Sequence, residues 1–253
     1  MNLYGKKYLV IGASSGIGRQ VSIQLAQLGA QLVIVGRNET RLNETLNHLH
    51  GEGHQSLLCD VSDFDAAQDA VKQAVTGDGV KLDGCLFSAG IGLVRPISSV
   101  DSSITQKMFQ TNFFSLVAIL KIFSSRRISK DGASFVSLSS RAAIIPDKGM
   151  GLYSASKAAI NAYTVVSAKE LSKRGIRVNA LCPEQVDTPM ARSFKEAVSP
   201  SQLSRFYPLG MLTAEDVANT AVYLLSDYSA KITGQSIWMS AGNDGGCIDG
   251  YIL

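Results

Sequence analysis

The sequence predicts an α/β protein, a single domain built on a doubly wound parallel sheet flanked by helices on both faces. Three observations predict it. Short aliphatic or β-branched runs alternate with longer stretches of helical period. The gaps between successive runs are long enough for the crossover helices that parallel strands require. The first run also ends in a glycine-rich turn that leads straight into a helical pattern. At 253 residues, one domain of this kind accommodates the whole alternation. No repeat, low-complexity tract or Pro/Ser linker divides it, so residues 1–253 are read as one Rossmann-type unit.

The strands are expected at residues 8–11, 31–35, 55–59, 84–87, 133–138, 176–181 and 236–239. Most are near-continuous apolar runs, as strands covered on both faces should be. The stretches between them carry apolar residues at helical spacing, with Val21, Leu25 and Leu28 after the first strand and a long helix over 103–125. Sheets of this class bind ligands beyond the carboxyl ends of their strands, so polar residues there carry the functional reading. The stretch 183–210 follows one such end and has prolines at 183, 189, 200 and 208, and it is read as a lid over a substrate site.

Composition narrows the function classes. A 45% hydrophobic, 18% charged chain buries a core and is no disordered polymer. Its net charge of +3 is dispersed, with no basic block beyond Lys6-Lys7 and Arg126-Arg127, so no nucleic acid is expected. No apolar run reaches the length of a membrane span and no secretory leader opens the chain, which predicts a cytoplasmic protein with no membrane partner. Cys59, Cys85, Cys182 and Cys247 lack metal-ligand spacing and are expected to be reduced. His48, His50 and His54 are read as a solvated turn, and no metal is expected.

The glycine-rich turn is Gly12-Ala13-Ser14-Ser15-Gly16-Ile17-Gly18. Small residues between a strand and a helix N-terminus let backbone N–H groups approach a diphosphate closely. An acidic residue ending the second strand would hold a ribose hydroxyl and repel a 2′-phosphate. Here the strand ends Gly36-Arg37-Asn38, with room at the glycine and a guanidinium suited to phosphate, and NADP(H) is favoured over NAD(H). Asp60, followed by Val61 after the third strand, either bonds the adenine or caps the helix that begins at Ser62-Asp63.

Tyr153 and Lys157 open the helical stretch that continues through Ile160, Tyr163 and Val166, and a spacing of four puts phenol and ammonium on one face. A nearby cation lowers a phenol's pKa toward working pH, which makes it a usable general acid or base. Chance supplies such pairs often, so context decides. Ser139-Ser140 close the fifth strand thirteen positions before Tyr153, and their hydroxyls can meet the phenol over one carbonyl oxygen. Asn112, in the long helix, is placed to hold a water behind Lys157.

Gly12-x-x-x-Gly16-Ile17-Gly18, Asp60, Ala89-Gly90, Asn112, Ser140, Tyr153-x-x-x-Lys157, Arg177-Val178-Asn179, Pro183 with Thr188, and Ile232-Thr233-Gly234-Gln235 follow in order over nearly the whole chain. In this ordered set the sequence resembles the short-chain dehydrogenase/reductase family, of the compact type that includes 3-oxoacyl-carrier-protein reductases. The resemblance implies an oxidoreductase that interconverts a carbonyl and a secondary alcohol, acting as a ketoreductase. It implies that Ser140 polarises the substrate oxygen, Tyr153 transfers the proton, Lys157 holds the nicotinamide ribose, and Asn112 keeps a relay water. Thr188 would reach the carboxamide, with Ser14, Ser15, Ile17, Asn38, Val61, Ser88, Ala89, Gly90, Pro183 and Val186 lining the cofactor. A homotetramer or homodimer is also implied, with the Asn112 and Tyr153 helices in one interface and the apolar tail 243–253 suited to docking on a neighbour.

Three positions depart from the family pattern. Ser88 stands where Asn is usual, Ala143 replaces a common glycine after Ser140, and Glu184 replaces the glycine after Pro183. Glu184 is expected to face solvent. These departures leave a catalytically silent NADP(H)-binding sensor as the alternative function. The cations Arg95, Arg141, Lys148, Arg192, Lys195 and Arg205 would suit an anionic substrate, but Asp147, Asp187 and Glu196 among them equally describe a mixed surface.

Overall fold

All seven expected runs become strands of one parallel sheet in the computed structural model, which describes residues 1–191 and 199–243. The strands are β1 (Lys7–Ile11), β2 (Gln31–Gly36), β3 (Gln55–Leu58), β4 (Leu82–Phe87), β5 (Ser129–Leu138), β6 (Arg177–Pro183) and, last in the sheet, β9 (Ser236–Met239). Their order is β3-β2-β1-β4-β5-β6-β9. Chain direction across the sheet reverses between β1 and β4, which opens a crevice at their carboxyl ends.

Both faces are covered, which explains why the strands read as unbroken apolar runs. Leu9 and Ile11 of β1 point into one core with α3 (Phe64–Thr76), α5 (Ser115–Phe123) and α6 (Gly151–Leu171). Tyr8 and Val10 point into the other with α1 (Gly16–Gln27) and α8 (Ala214–Leu225). Close packing shows at Gly84, where an added methyl would stand 2.8 Å from the Tyr8 ring.

Most boundaries fall within two residues of expectation, and two features differ by more. Strand β5 starts at Ser129 rather than 133, with a register shift against β4 near Gly132, whose φ of +83° suits glycine. The long helix over 103–125 is broken in two. It runs as α4 (Ser102–Phe109), then a wide π turn over Gln110–Phe114, then α5. Asn112 sits in that turn, and side-chain bonding at Asn112, given below, accompanies the widening.

After β6 the chain forms β7 (Val186–Asp187), which pairs in parallel with β8 (Leu212–Thr213). The two ends of the intervening excursion therefore lie side by side. Within it, α7 (Pro200–Phe206) starts from a reciprocal capping box between Ser199 and Gln202. Of the expected lid, residues 192–198 lie outside the described residues, as do Arg192, Lys195 and Glu196, the tail from 244 and Cys247. Cys59, Cys85 and Cys182 are free thiols. Among the described residues, no helix is long and apolar enough to cross a membrane.

Candidate active site

Loops from the carboxyl ends of β1, β4, β5 and β6 converge on one region, and glycine contacts show how closely. Gly12 has φ +83°, and a methyl there would stand 2.7 Å from the Ala89 amide nitrogen. One on Gly18 would run into the Gly12 carbonyl and the Ser88 hydroxyl. A methyl on Gly16 would touch Thr188 Cγ2 at 3.4 Å, and one on Gly90 would stand 3.3 Å from Lys157 Nζ and 3.4 Å from Asn112 Oδ1. Ser88 donates to the Ile11 carbonyl at 2.7 Å, so the shorter side chain still ties β4 to β1.

The N-terminus of α1 is open to an anion. Its N-cap residue Ser15 makes no capping bond and its first turn has no acidic residue, which leaves backbone donors for another partner. Arg19, which the sequence reading passed over, holds the turn from behind by donating to the Ser14 carbonyl at 2.7 Å and to Thr45 Oγ1 at 2.9 Å. The space left by Gly36 is filled by the Ser14 hydroxyl, against which a methyl would collide.

The ends of β2 and β3 are solvent-facing. Arg37 and Asn38 are exposed, and Asn38 Oδ1 caps α2 (Glu39–Asn47) by accepting from the Arg41 amide at 2.9 Å. Asp60 accepts from the Ser62 amide and hydroxyl, which hold its carboxyl below the usual range, with Arg37 a weaker contributor. The helix cap itself is Asp63 rather than Asp60. The histidine turn is less solvated than expected. The Leu32 amide donates to His54 Nδ1 at 3.2 Å, and His54 Nε2 lies 2.9 Å from the His50 carbonyl, so the ring ties β2 to the loop before β3.

The catalytic candidates are more enclosed. The Ser140 hydroxyl acts on the Tyr153 phenol, favouring its ionised form, and Ser140 Oγ accepts from the Ala142 amide at 3.2 Å. Ser139 turns away and donates to the Lys157 carbonyl at 3.0 Å, which separates the two serines as spacing alone had not. Lys157 is buried, and Nζ donates to the Leu138 carbonyl at 2.8 Å and lies 5.7 Å from the centre of the Tyr153 ring.

Asn112 is fully buried. Its Oδ1 accepts from the Ile91 amide at 2.8 Å, and Nδ2 lies 3.0 Å from both the Ile91 carbonyl and Ser156 Oγ. Ser156, to which the sequence assigned no role, donates onward to the Tyr153 carbonyl at 2.7 Å. The serine thus links Asn112 to the residue carrying the phenol.

The electrostatics reverse one expectation. Burial raises the Tyr153 phenol above its ordinary pKa, against the Ser140 hydrogen bond, rather than leaving it lowered by Lys157. The same burial pulls Lys157 down to about 8. In this low-dielectric corner each charge is costly, on the phenol and on the ammonium alike.

Glu184 corrects another. Its side chain is 6% exposed and lies 3.0 Å from Nε of Arg141, itself 4% exposed rather than part of a surface. Arg141 also donates to Asp147 Oδ2 at 2.7 Å.

Comparison with known proteins gives this arrangement relatives. Residues 12–244 match the family model described as enoyl-(acyl carrier protein) reductase. The 3-oxoacyl-(acyl-carrier-protein) reductase of Thermotoga maritima is 31% identical over 98% of this chain and 100% of its own. Carbonyl reductase (NADPH) 2 of Sus scrofa is 32% identical over 96% and 98%. A short-chain dehydrogenase/reductase structure from Mycobacterium ulcerans superposes with a TM-score of 0.88 at 31% identity, covering 96% of this chain and 90% of that one.

Proposed function

Because this chain belongs to the short-chain dehydrogenase/reductase family of oxidoreductases, we propose that it is an NADP(H)-dependent ketoreductase with Tyr153 as its proton donor. The observation that carries this reading is that the Ser140 hydroxyl acts on the Tyr153 phenol, with Lys157 Nζ 5.7 Å from the centre of the same ring. The cradle fits a dinucleotide. Gly12 and Gly18 have no room for a side chain, the start of α1 is uncapped, and Gly90 lies against Lys157 and Asn112. The cofactor, when bound, supplies the hydride.

The remaining steps belong to the chain. Ser140 donates to the substrate carbonyl oxygen and polarises it, and Tyr153 delivers its hydroxyl proton to the same oxygen as it becomes an alcohol. Lys157 holds the nicotinamide ribose and steadies the phenolate left behind. The relay water is assigned to the space beside Gly90 where Lys157 Nζ and Asn112 Oδ1 converge, and Ser156 keeps Asn112 in place. Gly12, Ser14, Ser15, Gly16, Ile17 and Gly18 cradle the diphosphate. Arg37 and Asn38 take the adenosine phosphate, Asp60 and Val61 the adenine, and Ser88, Ala89, Gly90, Pro183, Val186 and Thr188 the nicotinamide half.

Preference for NADP(H) rests on an exposed Arg37 after Gly36 with no carboxylate at that strand end, and one relative is named for NADPH. The lid reading of 183–210 rests on the β7–β8 pairing that clamps the ends of the excursion. The half-exposed Phe114, last residue of the π turn, and Val165 and Val166 on α6 suit the self-associating face of a homo-oligomer.

Thermal shift with NADPH against NADH, followed by NADPH oxidation over a panel of ketones, tests the reading. Larger stabilisation by NADPH and turnover abolished in Tyr153→Phe are expected. Equal stabilisation by the two cofactors overturns the preference. Tight binding without turnover on any carbonyl overturns the reductase in favour of a sensor.

A further inference from the structure

Asp147, Arg141 and Glu184 come from three segments that the proposed chemistry must hold together. Arg141 follows Ser140 in the turn after β5, Asp147 lies in the stretch leading to α6 and Tyr153, and Glu184 follows Pro183 on the way to Thr188. The arrangement places two carboxylates on one guanidinium. Asp147 holds the hydrogen bond, while Glu184 Oε2 is close to Nε but makes no hydrogen bond. With all three ionised, Arg141, Asp147 and Glu184 carry one excess negative charge among them, and the burial of Glu184 and the like charge of Asp147 both disfavour that state. A proton on Glu184 removes the excess.

We propose that Glu184 is a positioning residue whose protonation closes a clasp between the Ser140 turn and the Thr188 loop, and whose ionisation loosens it. Among the described residues, the charged groups acting on Glu184 are Arg141 from the turn and Asp147 from the stretch before α6; the Gln185 amide also favours the ionised carboxyl, and from β9 the Met239 carbonyl accepts from the Glu184 amide. Desolvation, with repulsion from Asp147, outweighs the attraction of Arg141 and pushes the carboxyl up to about 7. In an opened loop the carboxyl meets water and returns toward its ordinary 4.5. The closed form therefore holds the proton more tightly. Closure is fully present below the ordinary carboxylate range and is lost as pH rises toward the raised value.

The inference extends the ketoreductase reading, and its test is chosen to stand apart from turnover. Hydrogen exchange of the amides from 184 to 191 is measured on the full chain without ligand, corrected for intrinsic rates. Opening in the wild type should rise on the order of tenfold between about pH 6 and about pH 8. Glu184→Gln, permanently neutral and close in shape, should show no such rise. Asp147→Asn removes the repulsion and should move the rise to lower pH. A wild type that is flat, or a Glu184→Gln protein with the wild-type slope, overturns the clasp whether or not any ketone is reduced. Where turnover is found, KM for NADPH should climb with pH in the wild type and stay level in Glu184→Gln, with kcat little changed in both.

Discussion

The two halves of the crevice are built on opposite principles. At the ends of β2 and β3, Arg37, Asn38 and Asp60 are exposed, and Asn38 and Asp60 are held by local hydrogen bonds of their own turns. At the ends of β4, β5 and β6, Asn112, Lys157 and Arg141 are buried and bonded to segments far away in sequence. The exposed half can change one side chain without disturbing its neighbours, whereas in the buried half removing a group strands a partner. Cofactor choice should therefore be separable from stability here, and catalysis should not be.

The largest expected effect lies in the buried half. Tyr153→Phe should lower kcat by about 10²–10⁴-fold, the range of a lost general acid, while the NADPH thermal shift persists. A variant that keeps wild-type turnover removes Tyr153 from the chemistry.

Next is the pH response of Lys157. With its pKa near 8, the ammonium is lost as pH rises through that value, so kcat/KM should fall by about tenfold per unit beyond it. Stability moves the other way. The folded state binds fewer protons than the unfolded one between about 8 and the ordinary 10.5, so resistance to denaturant should rise across that window. Activity and stability that rise and fall together would break the assignment.

Asn112→Ala should cost about 1–3 kcal/mol, because the Ile91 amide and carbonyl and the Ser156 hydroxyl lose a buried partner. Chemical denaturation measures it, and an unchanged midpoint would show that the π turn does not depend on this side chain. The smallest effect belongs to the exposed half. Arg37→Ala should weaken NADPH by about tenfold, leave NADH alone and leave the melting temperature in place, as expected for one charge-assisted contact on a solvated turn. Equal weakening of both cofactors would erase the contrast between the halves.

Much of this was legible in the linear chain because its signals are local. A strand buried on both faces must be apolar throughout, which is why 31–35 or 84–87 could be read within a residue or two. A glycine turn between strand and helix states its own geometry, and the Tyr153-x-x-x-Lys157 spacing survives as one face of α6. The family resemblance singled out Ser140 from the adjacent pair, and in the structure Ser139 turns away to donate to the Lys157 carbonyl.

What the chain alone could not decide were properties set by contacts between distant segments. Burial raises the phenol, Ser156 holds Asn112, the π turn interrupts an unbroken helical pattern, and Glu184 turns inward to Arg141. Each is a desolvation or hydrogen-bond balance with partners that only folding brings together. Sequence by itself determined the family and the sheet and named the candidate reacting residues; tertiary structure decided their electrostatic surroundings and restraint, because dielectric surroundings and bond partners exist only in the folded chain.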